Sequence, residues 1–320
     1  MILIIIEIYE KQYTNKINTI LKLFAATFFV CMFRNNGLYI VLPTFLFLFF
    51  IMKDDKMRRI IIINCIFLCV FFFGWSKILM EQNIPQPVEE ALSIPFQQTA
   101  RLFWDEKKID EKDQMIIKNL FLGNDLKKIY NPELADPVKF SFKWGNESRV
   151  LWKDFYLRYL TQYPTVYIEA FLNQNYGYFY PFKEATDIGV YEIPKDEAFY
   201  NSEIYLETGS PFVRLRWFLK QIPCFYINTP ILNLIYNCSF YIWTILFLTG
   251  LLITEKKYHA CIISIPLLLS ICVCLLSPVD ACIRYMLSII VTFPIFISYF
   301  IMKFNFRQGI GIPLSKKNLQ

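Results

Sequence analysis

An α-helical integral membrane protein, with about six transmembrane helices and one mainly helical extracytoplasmic domain, is the fold class that this 320-residue sequence predicts. Three observations carry the prediction. Long apolar runs flank a single polar block, residues 81–221, which holds 21 of the 27 acidic side chains. The composition is 55% hydrophobic with 32 Phe and a mean hydropathy of +0.36, more than the core of a soluble domain this size requires. The net charge of +6 is also unevenly divided: the block has 17 Lys+Arg against 21 Asp+Glu, net −4, and the rest has 16 against 6, net +10. Excess base on the apolar part reads as contact with a cytoplasmic membrane surface and its anionic head groups, and not as a nucleic-acid patch.

Residues 1–9 (MILIIIEIY) are apolar but too short to span, with Glu7 inside the run and Glu10 directly after it. They lack the basic start and small-residue cleavage site of a signal peptide. They read as the remnant of an earlier helix, with the expectation that the chain is the C-terminal part of a longer protein. A bilayer core of ~30 Å takes about 20 helical residues. An N-terminal transmembrane region, 1–80, offers spans at about 17–33, where Lys22 snorkels, 37–52 and 60–79. A C-terminal region, 222–320, offers spans at about 232–253, 258–276 and 283–302. Lys53, Lys56, Arg58 and Arg59, then Lys256 and Lys257, then Lys303, Arg307, Lys316 and Lys317 cluster in short loops and the tail. The positive-inside rule then predicts a multi-pass protein of the cell membrane with both termini cytoplasmic and residues 81–221 outside. The nine cysteines lie in or beside apolar runs, and the only histidine, His259, sits away from the close pairs Cys65/Cys69 and Cys272/Cys274, so they read as helix-packing residues and no metal site is expected.

The extracytoplasmic block reads as mainly helical. Ser93 with Pro95 resembles a helix start, and Asn131-Pro132 is expected to start another. Leu151, Phe155, Tyr159 and Tyr163 recur every four residues up to Pro164, the mark of an amphipathic helix docking on an apolar surface. The stretch from Tyr163 to Pro181 is dense in polar and aromatic residues. If Pro164 opens a helix and Gly177 closes it, Glu169, Asn173 and Tyr176 share one face, while Val166, Ala170 and Phe171 share another. Glu169, Asn173, Tyr176 and Tyr178, with Arg101, are candidates for binding a sugar by hydrogen bonds and ring stacking. The competing reading is an aromatic belt at the head groups. Residues 214–237 read as an interfacial helix.

Arg34 and Arg284 sit at the outer mouths of expected spans and form a candidate clamp for a lipid phosphate; snorkelling anchors are the alternative, and Asp280 is expected to pair with Arg284 one turn away. No phosphate loop, zinc signature, nucleophile elbow or histidine triad is present, so no cofactor is evident.

Arg34-Asn35-Asn36-Gly37-Leu38-Tyr39, Ile94-Pro95-Phe96-Gln97-Gln98-Thr99-Ala100-Arg101, Tyr130-Asn131-Pro132-Glu133-Leu134-Ala135-Asp136-Pro137, the Tyr163 to Pro181 stretch, and Ser277-Pro278-Val279 with Arg284-Tyr285 occur in that order. As a set they resemble a bacterial polytopic membrane-protein family, domain-of-unknown-function family 6020, over nearly the whole chain. The resemblance implies a scaffold similar to C-type glycosyltransferases, which move a sugar from a polyprenyl-phosphate donor at the outer face. It alone brings in a divalent metal and a polyprenyl-phosphate lipid as partners besides the bilayer. The acids that such enzymes carry in an early outer loop are absent from residues 33–38. The resemblance therefore implies an N-terminally incomplete form, with room for a partner subunit that supplies the missing helices. The alternative is a non-catalytic membrane-anchored binding or scaffold protein of the cell envelope.

Overall fold

The computed structural model describes residues 1–10, 16–33, 36–82, 91–123, 125–183, 229 and 232–304. Among them the chain is helical, with fourteen α-helices, two 3-10 turns and two isolated β-bridges. It divides into two compact units: residues 1–86, 243–274 and 287–320 form the first, and 87–242 with 275–286 the second. The segment 184–228, which includes most of the expected interfacial helix, and Arg34 with Asn35 lie outside the described residues.

The first unit starts with α1 (Ile2–Tyr9), α2 (Lys16–Phe33), α3 (Gly37–Ile51) and α4 (Asp55–Glu81). The short α1 buries Ile2, Ile5 and Ile8, and the last two pack in one cluster with Leu23, Val41, Phe45 and Leu68. Its acids are partnered: Glu7 accepts from the Thr19 hydroxyl at 2.6 Å, and Glu10 from Tyr299 at 3.0 Å and Lys303 at 2.8 Å. Between α2 and α3 the backbones nearly touch, since a Cβ on Gly37 would lie 2.4 Å from the Val30 carbonyl oxygen. Deeper in, the Asn64 amide donates to Thr27 Oγ1 at 3.1 Å, which pairs two fully buried polar side chains where water is excluded. Helix α4 begins ahead of its apolar run because the Asp54 side chain accepts from the N–H groups of Lys56 and Met57 at the N-terminus.

Two of the expected later spans start differently from the sequence reading. Leu232–Tyr236 is a 3-10 turn, and α12 (Cys238–Thr254) begins after Asn237, whose Oδ1 accepts from Phe240 N–H at 3.2 Å. Tyr258–Ile263 is likewise 3-10 and leads into α13 (Ser264–Leu275), where Pro266 falls in the first turn and so breaks no helical hydrogen bond. The last helix, α14 (Ile283–Lys303), contains Pro294. Asp55–Glu81, Tyr258–Leu275 and Ile283–Lys303 are long and apolar enough to cross a bilayer, and Ile17–Phe33, Gly37–Ile51 and Cys238–Thr254 are shorter apolar helices. Ile62, Ile63, Ile66, Val70 and Phe73 of α4 face outwards, the exposure expected of a lipid-facing surface. These are the helices of a multi-pass membrane protein.

The second unit holds α5 (Ser93–Trp104), α6 (Glu111–Leu120), α7 (Leu126–Ile129), α8 (Asp136–Phe140), α9 (Asn146–Gln162), α10 (Pro164–Gln174) and α11 (Tyr176–Phe179). Phe96 lies at the centre, with the rings of Phe142 and Trp152 at 4.6 and 4.7 Å, and Phe121 edge-on at 5.7 Å. The expected stripe on α9 is corrected: Trp152, Phe155 and Tyr159 are buried, whereas Leu151 is exposed. Four residues turn a helix by about 400°, so a strict four-residue repeat drifts off one face and Trp152 takes over from Leu151. Asn131-Pro132 does not start a helix; it forms a turn closed by an Asn131–Leu134 bridge, and α8 starts at Asp136 with Pro137 in its first turn. Gly177 does not close α10, which ends at Gln174.

Candidate functional site

Three segments far apart in sequence meet at one cleft in the second unit. Its volume is ≈ 290 Å³, and Arg101, Trp104, Tyr130, Pro132, Glu133, Asn173 and Tyr176 line it. Helix α5 brings Arg101 and Trp104 on its last turn, α10 brings Asn173 on its last turn, and α11 opens with Tyr176. Helices α5 and α10 are locked together, with Gln98 Nε2 donating to the Tyr167 carbonyl at 3.0 Å. The turn at 130–134 is held against α5 by a hydrogen bond from the Gln97 amide to the Asn131 carbonyl.

Arg101 is the central charge. Asp105 Oδ1 lies 3.0 Å from its Nε and Glu169 Oε2 3.5 Å from its Nη2, while the guanidinium rests over the Tyr130 ring at 5.9 Å. Burial works against its charge, but Tyr130 and the two carboxylates outweigh it and raise its pKa further. Tyr130 is only 6% exposed. Burial pushes its phenol up, so it stays protonated at neutral pH. Arg101 and Asn173 are near enough to influence the Tyr130 hydroxyl. Among the described residues no group meets the hydroxyl with full hydrogen-bond geometry.

A buried carboxylate is tied to the cleft-lining segments through Gly177 and Lys183. Asp280, 0% exposed, accepts from Gly177 N–H at 2.9 and 3.0 Å and pairs with Lys183 at 3.4 Å. Lys183 also pairs with Glu133 of the cleft. Segment 277–282 lies alongside 133–135: Asp280 N–H donates to the Glu133 carbonyl at 3.0 Å and Ala135 N–H to the Pro278 carbonyl at 2.9 Å. The expected pairing of Asp280 with Arg284 is therefore replaced by Gly177 and Lys183; Arg284 stacks over Tyr285 at 5.3 Å.

Of the sequence candidates, Arg101, Asn173 and Tyr176 share the cleft, and Glu169 joins them through Arg101. Tyr178 is elsewhere: it is fully buried, with its hydroxyl 3.4 Å from Ser277 Oγ and accepting from Cys282 N–H at 3.3 Å, so it is a core residue tying α11 to 277–282. Trp104, Tyr130, Glu133 and Lys183 were not among the candidates. The one sequence signal for two of them was the Tyr130 to Pro137 motif, which contains Tyr130 and Glu133. Four of the five quoted motifs, all except the one at Arg34, contribute residues to this unit around the cleft. The carboxylates do not suit a divalent metal, because Lys183 engages both Glu133 and Asp280 and Arg101 engages Asp105 and Glu169. Among the described residues no three metal-ligating side chains converge.

A multi-pass helical membrane protein with a second, polar helical unit bearing an aromatic cleft is the class these features define. The chain belongs to DUF6020, a family of unknown function that residues 1–308 match. No curated protein and no solved structure matches it.

Proposed function

We propose that this is a membrane protein of the cell envelope that binds the sugar moiety of a glycan or lipid-linked sugar in the cleft of its polar unit. The observation that carries this reading is the lining: Trp104, Tyr130 and Tyr176 beside Arg101, Glu133 and Asn173 in a concave site of ≈ 290 Å³. A sugar ring has an apolar face that stacks on aromatic rings and hydroxyls that both donate and accept. An amide, a carboxylate and a guanidinium, with the Tyr130 phenol behind them, together answer those hydroxyls in both directions. The size suits about one ring, at the small end of ligand sites.

The loop charges support a topology in which this unit is extracytoplasmic and both termini are cytoplasmic. A transferase acting on polyprenyl-phosphate sugars, with Arg34 and Arg284 on the lipid phosphate, is the form of this reading that the likeness to C-type glycosyltransferases favours. In that form Glu133 is the carboxylate on the cleft wall.

The test is saturation-transfer NMR between the full chain in nanodiscs and methyl glycosides. Transfer to the sugar ring protons, lost in Tyr176→Ala and Asn173→Ala, is expected. No transfer to any glycoside, with the protein folded, would overturn the reading.

A further inference from the structure

The charges around the cleft are unbalanced. Among the described residues, Arg101 faces Asp105 and Glu169, and Lys183 faces Glu133 and Asp280, so two cations are set among four carboxylates. Even with Asp280 protonated, one acid is in excess. Neither cation is available to a second anion without leaving a carboxylate behind. The Arg101 guanidinium is also covered on one side by the Tyr130 ring, and its side chain is 18% exposed. A cleft meant for a carboxylate or phosphate would show the opposite excess, with guanidinium donors left open for bidentate contact.

We infer that the cleft selects by charge: it takes a neutral or amine-bearing sugar and disfavours one that carries a carboxylate or phosphate. The inference rests on the sugar-binding reading and narrows its substrate class. An ammonium group on the ring would lie beside Glu133 and the aromatic faces of Trp104 and Tyr176, which attract cations through both charge and ring quadrupole, with the Glu169 carboxylate behind Arg101 adding to the field. A lipid phosphate attached to such a sugar would have to sit outside this cleft.

The experiment compares glucose, glucosamine and glucuronate, three hexoses of one ring geometry that differ in charge, by competition in saturation-transfer NMR on the full chain in nanodiscs at low salt. Glucosamine should bind at least as well as glucose. Glucuronate should bind about threefold to tenfold more weakly than glucose, the effect of one uncompensated charge several ångströms away near a protein surface. Glu169→Gln and Glu133→Gln should each narrow the glucose-to-glucuronate gap, and so should high salt. Glucuronate binding more tightly than glucose would overturn the charge selection and leave sugar binding standing. Failure of all three sugars to bind the folded protein would remove the sugar reading and this inference with it.

Discussion

Gly177 and Asp280 are in direct contact: the glycine N–H donates to both carboxylate oxygens, and a Cβ on Gly177 would lie 2.6 Å from Asp280 Oδ2 and 2.8 Å from the Ala281 side chain. The close approach, and not backbone freedom, requires glycine here. It fixes α11, and therefore Tyr176, against segment 277–282.

Gly177→Ala should therefore destabilise the second unit by about 1–3 kcal/mol, the usual range for overpacking a tight contact. Gly145→Ala is the control, because its Cβ would meet only Ser148 Oγ at 3.7 Å. Denaturation of the purified protein followed by tryptophan fluorescence would report the difference, since Trp104, Trp144 and Trp152 all lie in this unit. Equal stability of the two variants would contradict the contact.

A pH effect follows from the same carboxylate. Burial raises the Asp280 carboxyl above its ordinary 3.8, against the opposing pull of Gly177 N–H and Lys183. The folded state thus holds this proton more tightly than the unfolded chain, and the contribution of Asp280 to stability falls as pH climbs from about 3.8 through the raised value. Asp280→Asn keeps an oxygen for Gly177 and removes the titration. Its stability relative to the parent protein should rise with pH across that window. A difference that stays constant with pH would show that Asp280 does not titrate there.

The membrane class and the apolar helices were legible because length and hydropathy are local properties. Helix ends were less so: a cap at Asp54 extends α4, and the 3-10 turns at 232–236 and 258–263 come from conformations that hydropathy cannot distinguish from α-helix. Helical spacing from Pro164 groups Glu169, Asn173 and Tyr176, and this made part of the cleft visible although α10 ends at Gln174 and Tyr176 opens α11. Tyr130, Glu133 and Lys183 belong to no periodic pattern: the first two reach the cleft through the Gln97–Asn131 hydrogen bond and the pairing of 133–135 with 278–280, and Lys183 joins through its ion pair with Glu133. Tyr178, two residues from Tyr176, was misread because the short helix α11 turns its neighbours to opposite sides.

For topology, a reporter inserted after Gly123, at an exposed turn of the second unit, should be active only outside the cytoplasm, and one fused after Lys317 only inside. Activity of both reporters in one compartment would contradict the six-span arrangement.

The lipid-phosphate part of the proposal makes its own prediction. A polyprenyl phosphate should bind the detergent-solubilised chain more tightly than the neutral polyprenol, and Arg34→Lys or Arg284→Lys should each reduce that preference, because an ammonium cannot reproduce the planar fork. Equal affinity for the two lipids, insensitive to both changes, would make these arginines membrane anchors.

The central claim is that the cleft is a ligand site, and Tyr130→Phe tests it most directly by reading stability and binding on one variant. The hydroxyl it removes is buried and meets no partner with full hydrogen-bond geometry among the described residues, so Tyr130→Phe should leave stability unchanged or raise it, by up to about 1 kcal/mol, while weakening sugar binding severalfold. Opposite movement of the two quantities marks a group held for a ligand. A variant that loses stability and binds sugar as well as the parent would assign Tyr130 to the core alone and contradict the account.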